Sequence, residues 1–433
     1  MKKERMIMKK LPKNLIEIIV ELPAREMQPF YDEAIGHLSE DVQIPGFRPG
    51  KAPLPMVKEH VGQGKILEHA AEHAINEKYP EIVEKEKLIP AGPPQVQIQK
   101  LAPDNPFVFK LTIPLMPRVK LGDYRKIKIK KNKIEIKDEE INQAVKQLQL
   151  IAGQEILVNR NSKKGDKVKL DLNLFIDKVP LEGGQIKDFS IILGQDQYLS
   201  GLADNLTGLG PYQEKEFSFT YPVDHYDKKL AGKKVDFKAN IKDVYQINLP
   251  ELDDKFALSM GPFKTIQGLK DKIKENLSRE QEDKEDQKRE IEILNQLIEK
   301  SEFEEIPEVL VEYELDKMLA ELRGNIERPD NPNSPKFDDY LTSIKKTEEQ
   351  LKKELIPNAE KRIKTALAIR EIALKENIRA SEEELKKEIE QMKEIYKNQE
   401  RALKNLESEA GKIYLKNLIV NRKVIDMLKK KSL

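Results

Sequence analysis

The chain has 433 residues, with 77 Lys and Arg against 76 Asp and Glu, no cysteine and no tryptophan. That length asks for about two to four domains rather than one core, and the balanced charge excludes a chain-wide attraction to nucleic acid or membrane, so any electrostatic docking is local. The missing cysteine removes disulfides, thiolate catalysis and Cys-ligated metals and is consistent with a reducing compartment, while 35% charged and 6% aromatic residues suit a surface-rich helical protein better than a large compact enzyme.

The N-terminus is basic (Lys2, Lys3, Arg5, Lys9, Lys10), yet Glu17 and Glu21 interrupt the apolar run from Leu15 to Leu22, so no signal-peptide core follows. No segment approaches the roughly 20 apolar residues of a membrane span, and a soluble cytoplasmic protein with no membrane partner is expected. Leu15, Ile16, Ile18, Ile19 and Val20 predict a strand ended by Pro23. Residues 24–41 then carry Met27, Phe30, Tyr31, Ala34, Ile35 and Leu38 at helical spacing. A Gly- and Pro-rich loop follows, and helical character returns from Val57 to roughly Glu86. Val96, Ile98, Phe107, Phe109, Leu111 and Ile113 alternate as two paired strands. An α+β domain results, with the loop at the tip of a helical hairpin.

A lysine-rich stretch predicts a short strand at Ile127 and Ile129, then a helix that Asp138 caps, with Ile141, Val145 and Leu148 along one face. From Val168 to Val244 the pattern becomes short β-runs: Val168 to Ile176, Phe189 to Leu193, Phe217 to Tyr221 and Val235 to Val244, with Gly183-Gly184 as a turn between strands. Beyond about Pro250 the chain reads as long charged helices. Thr347 with Gln350 and Ser381 with Glu384 form capping boxes at two of their starts. A helix from Thr265 to Glu299 is expected to reach about 50 Å, which makes this domain elongated.

The loop between the first two helices reads Gly46-Phe47-Arg48-Pro49-Gly50-Lys51-Ala52-Pro53. Glycines supply unusual backbone angles and prolines stiffen the segment, so an aromatic and two cations are presented at little ordering cost. The alternative is a tight interhelical turn with Phe47 tucked into the core. The motif resembles the ribosome-docking loop of the trigger factor family, Gly-Phe-Arg-x-Gly-Lys-x-Pro, with Pro49 where that family commonly has Lys. The resemblance implies that Phe47 and Arg48 contact ribosomal protein and RNA beside the tunnel exit of the large subunit, with Lys51 adding attraction to phosphate.

The segment from Val168 to Gly184, followed by Leu193-Gly194 and Leu199 to Gly210, resembles the FKBP-like prolyl isomerase domain of that family. Its chemistry needs an apolar, aromatic-lined cup that favours the twisted amide, and no catalytic acid or base. The resemblance places Tyr226 and Phe237 on aromatic positions of the pocket and Leu199 on an aliphatic wall. Leu172, Leu181 and Leu202 stand where the family commonly has Phe, and Ser200 where it often has Pro. A weakened prolyl pocket is one expectation; retained core aromatics of a β-domain is the other.

Other chemistries find less support. His69-Ala70-Ala71-Glu72-His73 has the spacing of one class of zinc hydrolases, but a solvated or packing histidine pair accounts for it, and no metal or other cofactor is expected. No nucleophile elbow accompanies His37, His60 or His225, and Gly62-Gln63-Gly64-Lys65 lacks the form of a phosphate loop, so no nucleotide is expected. The lysines of residues 120–133 lack stacking aromatics beyond Tyr124 and read as a solvated linker.

The resemblance covers essentially the whole chain and implies a multidomain α+β protein. It has an N-terminal α+β ribosome-docking domain (1–117), a linker packing with the C-terminal domain (118–154), an inserted FKBP-like β-rich domain (155–247) and an elongated all-α C-terminal chaperone domain (248–433). The function implied is that of an ATP-independent chaperone that docks at the ribosomal exit and holds nascent and unfolded polypeptides, with a weak homodimer off the ribosome left open. An enzyme acting mainly as a prolyl isomerase, and a helical adaptor, are the alternatives.

Overall fold

The computed structural model describes residues 5–43, 45, 47, 48, 51–130, 132, 134–194, 202–221, 230, 232–328, 331, 334–397 and 399–431, the side chains at 41, 182, 401 and 402 excepted. Contacts divide the chain into two units, Met1–Lys130 with Lys288–Leu433, and Lys131–Gln287.

The first unit begins with β1 (Arg5–Leu11), β2 (Leu15–Leu22), α1 (Ala24–Asp41), α2 (Leu54–Val61), α3 (Gln63–Lys85), β3 (Gln95–Lys100) and β4 (Phe107–Pro114). The strands form an antiparallel sheet ordered β1-β2-β4-β3. Alternation decides its faces: Ile16, Ile18, Val20 and Leu22 of β2 and Phe107, Phe109, Leu111 and Ile113 of β4 are all buried. They meet Ala34 and Ile35 of α1 and Ile66, Ala70 and Ala74 of α3. Small alanines on α3 let that helix approach closely.

Two expectations change here. Arg5–Leu11, in the basic N-terminal stretch to which the sequence assigns no strand, form β1, which pairs along its full length with β2. The helix expected from Val57 to Glu86 is two helices, because Gly62 at φ 84° and ψ 143° adopts backbone angles that a helix cannot contain.

After β5 (Val119–Lys120) a single 3-10 turn spans Tyr124–Lys126. No strand forms at Ile127 and Ile129; both are buried against C-terminal helices, so their alternation reflects an extended chain lying on helices rather than a ladder.

The second unit contains α4 (Asp138–Ile151), β6 (Gln154–Val158), β7 (Lys167–Ile176), β8 (Val179–Ile192), α5 (Leu202–Leu206), β9 (Glu214–Thr220), β10 (Lys234–Asn248), α6 (Asp254–Ser259) and the first part of α7 (Ile266–Glu299). Lys137, not Asp138, is the N-cap of α4; Asp138 sits in the first turn, where its charge still favours the helix dipole. β10 organises the sheet: it pairs with β7 along one edge and with β9 and then β6 along the other, ending with Val244 opposite Val158 and Asn248 opposite Gln154. The β7–β8 turn falls at Asp177 and Lys178, whose φ values of 50° and 65° are left-handed, and Gly183-Gly184 lies inside β8 instead. A small second core joins Ile141 and Val145 of α4 to Phe256, Ala257 and Leu269.

The rest of the first unit holds the end of α7, β11 (Glu302–Phe303, paired with β5), α8 (Glu308–Ile326), α9 (Phe337–Ser343), α10 (Glu348–Lys375), α11 (Glu382–Ile395), α12 (Glu400–Glu407) and α13 (Glu409–Lys431). Ile293, Leu297, Ala368, Ile369, Ile372, Val424 and Leu428 form its main core. Both expected capping boxes are present: Gln350 N–H donates to Thr347 Oγ1 at 3.2 Å and Glu384 N–H to Ser381 Oγ at 3.2 Å, each returned by the side chain three residues on. No described helix is long and apolar enough to cross a membrane.

Candidate functional site

The loop between α1 and α2 is framed by two helix ends. α1 stops at Val42, whose extended backbone still donates its N–H to Leu38 O, and α2 starts after Pro53, with Pro55 early in its first turn, where no helical N–H is needed. Between them Lys51 N–H donates to Arg48 O at 2.9 Å. Phe47 is 37% exposed, and Arg48 and Lys51 are exposed beside it. Ala52 packs on the domain core and fixes the base of the loop. Gly46, Pro49 and Gly50 lie outside the described residues.

Two neighbours extend this surface. Leu54 and Met56 on α2 are exposed, while only Val57 of that short helix is buried. The sequence gives them no distinguishing mark, because an apolar residue at the start of a short helix reads equally well as core.

In the second unit the expected pocket residues gather on one face of the sheet. Leu172 stands opposite Ala239, and Phe237 stands opposite Leu174 and stacks on Phe217 with ring centroids 5.3 Å apart. Leu202, at the start of α5, covers the same cluster, and Leu181 packs at its margin. Phe237 is 3% exposed, Leu172 is equally buried, and Phe219 and Tyr221 meet edge to face at 5.4 Å nearby. These further aromatics were not singled out in the sequence, since outward and inward positions of a short strand differ only by register. Leu199, Ser200 and Tyr226 lie outside the described residues.

Polar support for this β-layer comes from Asp166. It is buried, accepts hydrogen bonds from Arg160 Nη1 at 2.6 Å and from Lys163 N–H at 2.8 Å, and is held below the usual aspartate range. Burial pushes its carboxyl upward, but the Arg160 and Lys163 hydrogen bonds and charges together outweigh it. Asp166 N–H, in turn, donates to Lys163 O, and Leu193 N–H to the Asp166 backbone carbonyl, so the Asp166 backbone ties this loop to the residue that follows β8.

The helical part of the first unit leaves large apolar side chains in water on separate helices: Tyr313 on α8, Leu374 on α10, Ile395 on α11, and Ile413 and Tyr414 on α13. His69 and His73 sit a turn apart on α3, but His73 faces α1 rather than Glu72, and among the described residues no group of three His, Asp or Glu side chains could hold a metal ion.

An α+β domain with a presented aromatic–cation loop, a β-module with an apolar face and helices with scattered exposed apolar residues together define a modular polypeptide-binding protein. Comparison with known proteins agrees. Residues 5–148 match the family described as bacterial trigger factor protein, residues 265–430 match the bacterial trigger factor C-terminus, and residues 158–250 match FKBP-type peptidyl-prolyl cis-trans isomerase. The trigger factor of Caldicellulosiruptor bescii is 31% identical over 411 residues, covering 95% of this chain and 93% of that protein. That of Carboxydothermus hydrogenoformans is 32% identical over 419 residues, covering 96% and 97%. A solved structure from work on promiscuous substrate recognition in folding and assembly by the trigger factor chaperone covers 99% of this chain and 100% of its own, with a TM-score of 0.50 and 20% identity, a likeness of fold.

The chain belongs to the trigger factor family. It is a ribosome-associated chaperone that carries an FKBP-type domain, and nothing favours a mainly isomerase role.

Proposed function

We propose that residues 46–51 dock the chain beside the tunnel exit of the large ribosomal subunit, and that the helical domain then holds nascent and unfolded polypeptides without nucleotide, in the cytoplasm. The observation that carries the docking reading is the exposure of Phe47, Arg48 and Lys51 between two helix ends. An aromatic anchor flanked by cations suits a surface made of protein and RNA phosphate. The exposed apolar residues on α8, α10, α11 and α13 suit weak, rapidly reversible contacts with many sequences, because they are spread over separate helices. Release then follows mass action. The working division of labour is residues 1–117 for docking, 118–154 as linker, 155–247 as the FKBP-like module and 248–433 for holding clients, with a weak homodimer off the ribosome. The prolyl pocket works below the pace of aromatic-lined relatives because Leu172, Leu181 and Leu202 give it a different shape.

Co-sedimentation with bacterial ribosomes tests the docking reading. The intact chain is expected to pellet with ribosomes and a Phe47→Ala, Arg48→Ala double variant, with an unchanged circular dichroism spectrum, to stay in the supernatant. Equal pelleting of both overturns it.

A further inference from the structure

α10 and α13 share a core through Ile369, Ile372, Val424 and Leu428, and beside it they leave an open groove of about 530 Å³. Its floor is apolar. Ala373 belongs to the shared core, Val420 and Ile378 pack against it, and Leu374 stands 67% exposed above them. Arg370 on α10, Arg379 just beyond its end, and Asn417 and Asn421 on α13 form the polar rim. Among the described residues no carboxylate and no aromatic ring lines the groove.

We propose that this groove holds an extended polypeptide segment carrying aliphatic and acidic side chains, an assignment that rests on the helical domain being the part that holds clients. The unused hydrogen-bonding groups of the rim carry the inference. Among the described residues the guanidinium groups of Arg370 and Arg379 and the carboxamides of Asn417 and Asn421 have no side-chain hydrogen bond or ion pair. Other cations of α13 are engaged: Lys416 holds Glu382 at 2.8 Å, Arg422 holds Glu388 at 3.0 Å and Lys423 holds Glu384 at 2.6 Å. Two arginines without carboxylates, in a chain whose charges otherwise pair so widely, leave a local positive field for an anionic partner.

The remaining chemistry selects a peptide among anions. Asn417 and Asn421 are one turn apart, about 6 Å along the helix axis, and an extended chain repeats the backbone groups on one side every two residues, about 6.6 Å. Each carboxamide offers a donor and an acceptor, the complement of a peptide C=O and N–H. The floor of Ala373, Leu374 and Val420 takes aliphatic side chains out of water, and a guanidinium fork grips a carboxylate through two hydrogen bonds. A single-stranded nucleic acid would satisfy the arginines but finds no ring on which to stack its bases. The groove's size falls within the about 300–1,000 Å³ usual for ligand clefts.

Fluorescence anisotropy of a dye-labelled short peptide of alternating Leu and Asp, titrated with the full chain, tests the groove. Saturable binding is expected, weakened about tenfold or more in the Arg370→Gln, Arg379→Gln double variant. A matching peptide of Leu and Asn should bind the intact chain and that variant alike, and the Asn417→Ala, Asn421→Ala double variant should weaken both peptides. All four side chains are exposed, so the variants are expected to keep the parent circular dichroism spectrum. Equal binding of the acidic peptide to the intact chain and the arginine variant overturns the proposal, and so does tighter, arginine-dependent binding of an oligouridylate of the same length. Suppression of aggregation of a chemically unfolded protein reads the holding role separately. If the intact chain suppresses aggregation but shows no saturable peptide binding, the groove assignment alone falls. If suppression is absent, the holding reading falls, while arginine-dependent peptide binding still upholds the groove.

Discussion

Arg422 on α13 grips Glu388 on α11 through both terminal guanidinium nitrogens, at 3.0 and 3.1 Å. The carboxylate is buried and the guanidinium half exposed, so the two ends of the pair are not equivalent. Arg422→Ala leaves a buried charge without its partner and is expected to cost about 1–3 kcal/mol, moderated by water reaching the site. Glu388→Ala, which leaves only a solvated cation, should cost less. Urea unfolding of both variants measures the difference, and equal losses would show that the asymmetry of burial has no energetic weight.

The depressed Asp166 carboxyl gives the second unit an acid limb. Its folded value lies below the unfolded one near 4, so its stabilising contribution is complete above the unfolded value and is lost as pH falls through the folded one. Asp166→Asn removes that dependence. The melting temperature of the variant, followed from neutral pH down to about pH 3, is expected to fall less steeply than that of the parent.

Gly62 separates α2 from α3 in a conformation open to glycine alone, with no atom nearby that a methyl group would strike. Gly62→Ala therefore costs through backbone strain, about 2 kcal/mol, and not through a clash. The same variant should weaken ribosome co-sedimentation, since α2 sets the position of the loop before it. Unchanged stability would mean that the helices can fuse without penalty.

Pro49 occupies a position where trigger factors commonly carry Lys. Pro49→Lys adds a cation beside Arg48 and is expected to strengthen ribosome binding at low salt and to steepen its loss as salt rises. Sedimentation at several salt concentrations reads both effects, and parallel curves for the two proteins would remove charge as the reason.

Restoring aromatics at the proposed prolyl pocket is the test of its chemistry. The triple variant Leu172→Phe, Leu181→Phe, Leu202→Phe should raise turnover of a prolyl peptide in a protease-coupled assay. The expected cost in stability is about 1–3 kcal/mol, because Leu172 and Leu202 are already closely packed. A stable variant with no gain would locate the deficit elsewhere in the domain.

Features set by neighbouring residues could be read from the chain directly. Thr347 with Gln350 and Ser381 with Glu384 are local hydrogen-bond exchanges, and both form as their spacing requires. β4, the strand ending the N-terminal sheet, followed from alternation at Phe107, Phe109, Leu111 and Ile113 because one of its faces is wholly buried. The reading failed where burial is one-sided or imposed from a distance. β1 is an edge strand whose lysines hide its period, and Ile127 and Ile129 alternate only because helices far along the chain cover one side of them. Gly183-Gly184 suggested a turn by composition, yet Asp177 and Lys178 accept the left-handed angles and make it. For the candidate site, the exposed Phe47, Arg48 and Lys51 could be picked out by motif, whereas Leu54 and Met56 could not, since exposure of an apolar side chain depends on what the fold leaves uncovered.

β6 and the end of β10 lie side by side, with Gln154 opposite Asn248, so the β-module begins and ends at neighbouring backbone positions about 5 Å apart. A chain that leaves and returns at one place asks nothing of its host. The polypeptide on either side needs neither stretching nor a new bridge when the module is removed, enlarged or exchanged. The β-module is thus joined to the rest as a grafted branch to a trunk, free to be lost or altered separately, and substitutions within such a graft can accumulate without cost to the rest.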